Sequence, residues 1–254
     1  MAPCELKIYG LTTLPELGPG DDLARLIVEA AEREGVGLVD GDVIVVSSKA
    51  VSKVEGRFVR LSDVEPSEKA RELARALGKD PRLVEVILRE SRRIVKAERG
   101  HLIVETRHGL VCANAGVDRS NVRGVGDVVV LLPLDPDESA RRIRKGIEEL
   151  TGKRVAVVIT DTYGRPLREG QLDVAIGLSG LPPFRDYRGS RDLKGYTLRV
   201  KRIALADEVA AAADLVKGGG SEGVPVAVIR GMSYERKESS ARELVMPREK
   251  WLFR

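Results

Sequence analysis

The chain has 254 residues, 43% of them hydrophobic and 32% charged, and a formal net charge of +4, enough core-forming material to exclude a disordered chain. No apolar run reaches the roughly 18 residues of a membrane span, and Met1–Glu5 lacks a basic start followed by an apolar stretch, so neither an anchor nor a signal peptide is expected. Aromatics make up only 4% and do not interleave with the Arg and Lys runs, which argues against a base-stacking nucleic-acid binder.

Two cysteines, Cys4 and Cys112, form no framework of spaced pairs and read as free thiols in a reducing cytoplasm. With only His101 and His108, a Cys/His zinc site is not expected, so a metal here would be a hard cation held by oxygen. High charge with almost no Asn or Gln fits a thermophile, because those amides are heat-labile.

In chain order, Glu5–Tyr9 reads as a strand. Asp22–Arg33 reads as a helix with Leu23, Leu26, Ile27 and Ala30 on one face, and Asp42–Ser47 as a short apolar strand. Pro66–Leu77 is a helix with Pro in its first turn and Gly78 as its stop; a second runs over Pro81–Glu90. Strands follow at Arg93–Ala97, Leu102–Glu105, Leu110–Ala113 and Asp127–Leu131. Asp135-Pro136 opens a helix with Ala140, Ile143, Ile147 and Leu150 inward. Arg154–Thr160 is a buried strand, Leu205–Val216 a helix and Val224–Ile229 a strand; the polar stretch 233–254 could be helical. Long strand runs between helices favour a mixed α+β fold over a regular doubly wound sheet.

Four segments carry possible chemistry. Asn114 and Asn121, the only two asparagines, both lie in Asn114-Ala115-Gly116-Val117-Asp118-Arg119-Ser120-Asn121, a turn following an apolar strand. Asn and Asp also favour turns for local reasons. Thr160-Asp161-Thr162-Tyr163-Gly164-Arg165 caps the strand Arg154–Thr160, and the only glutamine, Gln171, follows. A carboxylate beside a hydroxyl can hold Mg(II) or Mn(II) near phosphate oxygens, and Asp118 and Asp161 on neighbouring strand ends could share one such cation. Ser47–Lys53 offers hydroxyls, turn amides and lysines to phosphate, though two exposed lysines are commonly just solvated. Lys217–Gly223 offers glycines whose N–H groups can turn toward an anion, or a plain connecting turn. Two lookalikes fail on context. Gly218, Gly220 and Gly223 match a dinucleotide fingerprint but follow a helix, and Thr151–Arg154 echoes a P-loop with Arg154 where Ser or Thr is required.

Taken together, these segments resemble the coenzyme F-420-0:gamma-glutamyl ligase family over nearly the whole chain. Leu14–Leu17, Gly20–Leu23, the helix Leu134–Lys153 and Ala206–Glu208 join the match in order. The resemblance implies a single unit over residues 1–254, with two interlocked subdomains as a finer alternative, in a family-specific α+β fold forming an intertwined homodimer. It implies GTP-dependent addition of L-glutamate to the coenzyme precursor through an acyl phosphate, the second glutamate joined through a γ-carboxyl. By that similarity Leu14, Pro15, Glu16, Leu17, Ser48, Lys49, Lys53, Asn121 and the run Lys217, Gly218, Gly219, Gly220, Ser221, Glu222, Gly223, Val224 line the GTP site. Asp118 and Asp161 would hold a first divalent metal, Mg(II) or Mn(II), and Thr162 a second, with K(I) as a further cofactor. One departure stands out. Relatives often carry an acidic residue at Gly219 as a ligand of the second metal, and Gly219 has no side chain, so either Glu222 reaches in or water and phosphate hold that ion. A metal-dependent nucleotide phosphohydrolase and a basic nucleotide- or RNA-binding module remain the rival readings.

Overall fold

The computed structural model describes residues 5–119 and 127–252; Cys4 and the candidate nucleotide ligand Asn121 lie outside them. A five-stranded sheet organises the fold. Its strands are β1 (Lys7–Leu11), β2 (Val43–Ser47), β8 (Ala156–Gly164), β9 (Gln171–Ser179) and β12 (Val226–Arg230), in the order β1-β12-β2-β8-β9. Only β2 and β8 run parallel.

Alternation along these strands fills two cores, because successive side chains leave opposite faces. Ile44, Val46, Val157, Ile159, Val226 and Val228 meet helices α1 (Leu23–Arg33) and α5 (Pro136–Thr151). Val43, Val45, Ala156, Val158, Ala227 and Ile229 meet α6 (Leu205–Lys217) on the other face. Gly177 is required by this layering, since a Cβ there would lie 2.4 Å from the Pro136 carbonyl oxygen at the start of α5.

A smaller module follows α2 (Ser48–Val54). It holds the paired strands β3 (Phe58–Arg60) and β7 (Val128–Val130), helices α3 (Glu68–Leu77) and α4 (Pro81–Arg89), and the sheet of β4 (Ser91–Glu98), β5 (His101–Thr106) and β6 (Val111–Ala113). Ala70, Ala74, Val84, Ile87, Leu102 and Val104 form its core. A two-stranded pair, β10 (Arg185–Asp186) and β11 (Arg202–Ile203), precedes α6. The mixed α+β class expected from the strand runs is what forms.

Helix ends follow the local chemistry. Asp22, Ser67, Asp80 and Asp135 each accept a backbone N–H as N-caps, and Pro81 and Pro136 open their helices. Gly78 and Gly152 close α3 and α5 in the left-handed conformation.

Some expectations need correction. Ser47–Lys53 is not a turn: Ser47 caps α2 by accepting from the Ala50 N–H, and Ala50 and Val51 are buried. The strand ending at Thr160 continues to Gly164, because β9 pairs with it that far. The stretch 233–254 forms only the 3₁₀ turns Ala241–Leu244 and Arg248–Lys250 among its described residues. Its Pro247 cannot sit inside a continuous helix.

Candidate functional site

A cleft of about 1330 Å³ opens between the large sheet and the smaller module. Its walls bring together the loop Leu14–Leu17, the start of α2, the segment Asn114–Asp118, β8 beyond Thr160, and the run Lys217–Val224. All four candidate segments thus border one space, although they are far apart in sequence.

Each wall is fixed by its own bonds. The Leu14–Leu17 loop is anchored at its root by Glu34, whose Oε1 accepts the N–H groups of Thr12 at 2.8 Å and Thr13 at 2.7 Å. Because β2 is parallel to β8, Ser47 lies beside Thr160 and α2 starts next to Asp161. The Ser48 hydroxyl donates to Asp161 Oδ1 at 2.6 Å. Lys49 pairs with Asp118 Oδ2 at 2.6 Å. Asp118 itself is held by a two-way backbone bridge to Val130 at 3.0 and 2.8 Å. Its carboxylate therefore comes from the small module, not from a strand next to β8, and Asp161 lies within β8, not at its end. The Tyr163 hydroxyl donates to the Val111 carbonyl and ties β8 to β6 across the cleft.

The approach to Asp118 is strained. Asn114 and Ala115 take positive φ of 53° and 55°, followed by Gly116 at 69°. Such backbone costs energy in non-glycine residues and persists where surroundings enforce it. The Asn114 Oδ1 atom is buried without a hydrogen-bond partner. Within the described part of the segment, Asn114–Asp118 is thus held by contacts beyond its own turn.

Sequence reasoning overlooked Asp173. A bulge between β8 and β9 at Ile159/Thr160 sets Asp173 opposite Thr162. The alternation along β8 puts Thr160 and Thr162 on the α6 face and Asp161 on the other. Asp173 accepts from the Thr160 hydroxyl at 2.8 Å and the Thr162 hydroxyl at 3.2 Å. Lys217, the last residue of α6, donates to Asp173 Oδ2 at 2.5 Å and to Thr160 Oγ1 at 2.6 Å. An acid two residues after the only glutamine, inside an apolar strand, was the available signal. The Glu222 carboxylate folds back on its own turn and accepts from the Gly220 N–H at 2.7 Å.

Electrostatics concentrate on Asp161. Burial is the main cause that pushes its carboxyl up to about 7; Asp173 and Asp118 add repulsion, against the Ser48 bond and the charge of Lys49. Crowded carboxylates of this kind are what a cation relieves. Among the described residues no three His, Cys, Asp or Glu side chains cluster closely enough to hold a metal alone. Mg(II) commonly takes one or two carboxylates and completes its shell with water and phosphate, so Asp118 and Asp161 fit one such ion. The residues do not fit a second: Thr162 is bonded to an Asp173 already paired with Lys217, and Gly219 brings no side chain.

The chain matches the family model described as F420-0:Gamma-glutamyl ligase over residues 12–231. It belongs to that family. The relative from Methanothermobacter thermautotrophicus named coenzyme F420:L-glutamate ligase is 46% identical over 251 residues, covering 98% of this chain and 99% of its own. Relatives of the same name from Methanopyrus kandleri and Archaeoglobus fulgidus are 49% and 42% identical, covering 91% and 98% of this chain and 88% and 96% of their own. No helix among the described residues is long and apolar enough to cross a membrane.

Proposed function

We propose that this family member is an amide ligase that joins L-glutamate to the coenzyme F-420 precursor at the expense of GTP. The observation that carries the reading is the meeting, in one cleft, of Asp118, Asp161, Lys49, Lys53 and the glycine run. Family membership and the names of the relatives support F420 and L-glutamate as substrates, and GTP enters from the resemblance alone.

The precursor's carboxylate would attack the γ-phosphate of GTP, releasing GDP and forming an acyl phosphate. The amine of L-glutamate would then attack the acyl carbon and expel phosphate, closing the amide. A second glutamate would join through the γ-carboxyl of the first. Phosphoryl transfer asks a protein mainly for positioning and charge neutralisation. A divalent cation, Mg(II) or Mn(II), would supply charge neutralisation at the phosphate oxygens. Asp118 and Asp161 would hold it, with Lys49 and Lys53 offsetting phosphate charge. Leu14–Leu17 and the run Lys217–Val224 would enclose the nucleotide. A homodimer in the cytoplasm, with K(I) as a further cofactor, completes the reading; no nucleic-acid or membrane partner is part of it.

The test is a mass-spectrometric assay of the purified protein with the precursor, GTP, Mn(II) and L-glutamate. Glutamylated product with matching GDP release is the expected result. GDP release that ignores L-glutamate and the precursor would point to a phosphohydrolase instead.

A further inference from the structure

The cleft holds one buried charged pair: its lysine opens the run that would enclose the nucleotide, and its acid has no part in that reading. Lys217 and Asp173 are only 4% and 5% exposed, yet the ammonium sits 2.5 Å from the carboxylate. The lysine is where α6 aims its apolar stripe: Ala206, Ala210, Ala213 and Lys217 recur at helical spacing and all are buried. A lysine on that stripe can stay charged in the interior only with close partners. Asp173 and the Thr160 hydroxyl, 2.6 Å away, are those partners.

The same carboxylate binds the Thr162 hydroxyl through its other oxygen, at 3.2 Å. Thr160, Thr162 and Asp173 therefore form a hydrogen-bonded cluster of oxygens on the α6 face of β8, which the Lys217 ammonium joins and beside which Asp214, one turn earlier on α6, adds a further acid. Asp161 and Ser48 lie on the opposite face. No second carboxylate approaches from the neighbouring loop. Gly219 has no side chain, and the Glu222 carboxylate is held back by the Gly220 N–H at 2.7 Å.

We propose that the Lys217 ammonium is a built-in replacement for a second divalent cation, so that each cleft takes up one divalent ion, at Asp118 and Asp161. An ammonium is a compact point charge with three donors, able to satisfy a carboxylate and a hydroxyl together. A divalent ion could take its place only by displacing a lysine buried against the Asp173 carboxylate. The inference rests on the metal-assisted nucleotide reading of the cleft.

The test counts Mn(II) by equilibrium dialysis of the full chain against a saturating non-hydrolysable GTP analogue, with the metal in each retentate measured by atomic absorption. Wild type should retain one Mn(II) per chain. Lys217→Met should retain two, because Asp173 and Thr162 are then open to a cation. The double variant Lys217→Met with Asp173→Asn, which leaves no unpaired buried charge, should return to one. Two Mn(II) per wild-type chain overturns the replacement and leaves the ligase reading intact, as does a folded Lys217→Met that retains only one. Failure of Lys217→Met to fold leaves the wild-type count to decide, one supporting and two refuting. No Mn(II) on wild type overturns the metal-assisted reading together with this inference.

Discussion

Replacing Asp161 by Asn should make the metal-free protein more stable while removing its ability to hold a divalent cation. The carboxyl is pushed from 3.8 to about 7, chiefly by burial. At about 1.36 kcal/mol per pH unit this corresponds to roughly 4 kcal/mol withdrawn from the native state at pH 8. Water in the open cleft screens part of it, so a gain of about 2 kcal/mol is expected from the neutral amide. Asn keeps an acceptor for the Ser48 hydroxyl, so that 2.6 Å contact survives. The sign follows from linkage. For an acid whose folded value is raised, the destabilisation is absent below its unfolded value, 3.8, and complete above about 7. Guanidinium midpoints in EDTA at pH 4, 6 and 8 would read it. The stability difference between Asp161→Asn and wild type should be near zero at pH 4 and grow through pH 6 to its full size at pH 8. Calorimetric Mn(II) titration at pH 8 should show no binding at this site in the variant. A variant less stable than wild type at pH 8, or a difference that ignores pH, would refute the burial argument.

Other outcomes test the walls of the cleft. Lys53→Ala should raise the KM for GTP several-fold with little change in kcat, since a cation touching phosphate assists binding first; unchanged steady-state constants would make it an ordinary surface residue. Glu34→Ala removes the acceptor for the Thr12 and Thr13 N–H groups. It should loosen the Leu14–Leu17 loop and weaken nucleotide-analogue binding by about 1–2 kcal/mol in calorimetry, with a smaller effect on global unfolding. Asp137, buried in the first turn of α5, accepts the N–H groups of Leu178 at 2.9 Å and Ala241 at 3.0 Å and the Ser240 hydroxyl. Asp137→Ala should therefore lower unfolding stability by about 2–4 kcal/mol in denaturant titration.

What could be read from the sequence was whatever depends on neighbours along the chain. Prolines and the Gly78 stop gave α3, α4 and α5 within two residues, since an N1 proline acts within a single turn at Pro81 and Pro136; Pro66 was misplaced, because Ser67 caps α3 and leaves the proline outside the helix. The four chemical segments were visible as clusters of unusual residues, and the cleft gathers all of them. Helix α2 escaped notice because Ser and Lys favour no single state at the end of a strand, and its burial under the sheet decides the matter. Strand β9 escaped because its bulge breaks the alternation that marks a strand. With β9 went Asp173, and with Asp173 the role of Lys217. Read locally, Lys217 is a basic residue entering a glycine turn and available to phosphate. Only the pairing of β9 with β8, set by contacts far apart in sequence, puts an acid beneath it. The same long-range pairing explains why a chain with glycine at position 219 can still present a neutralised site on that side: the positive charge comes from the helix before the loop and not from an ion the loop must bind.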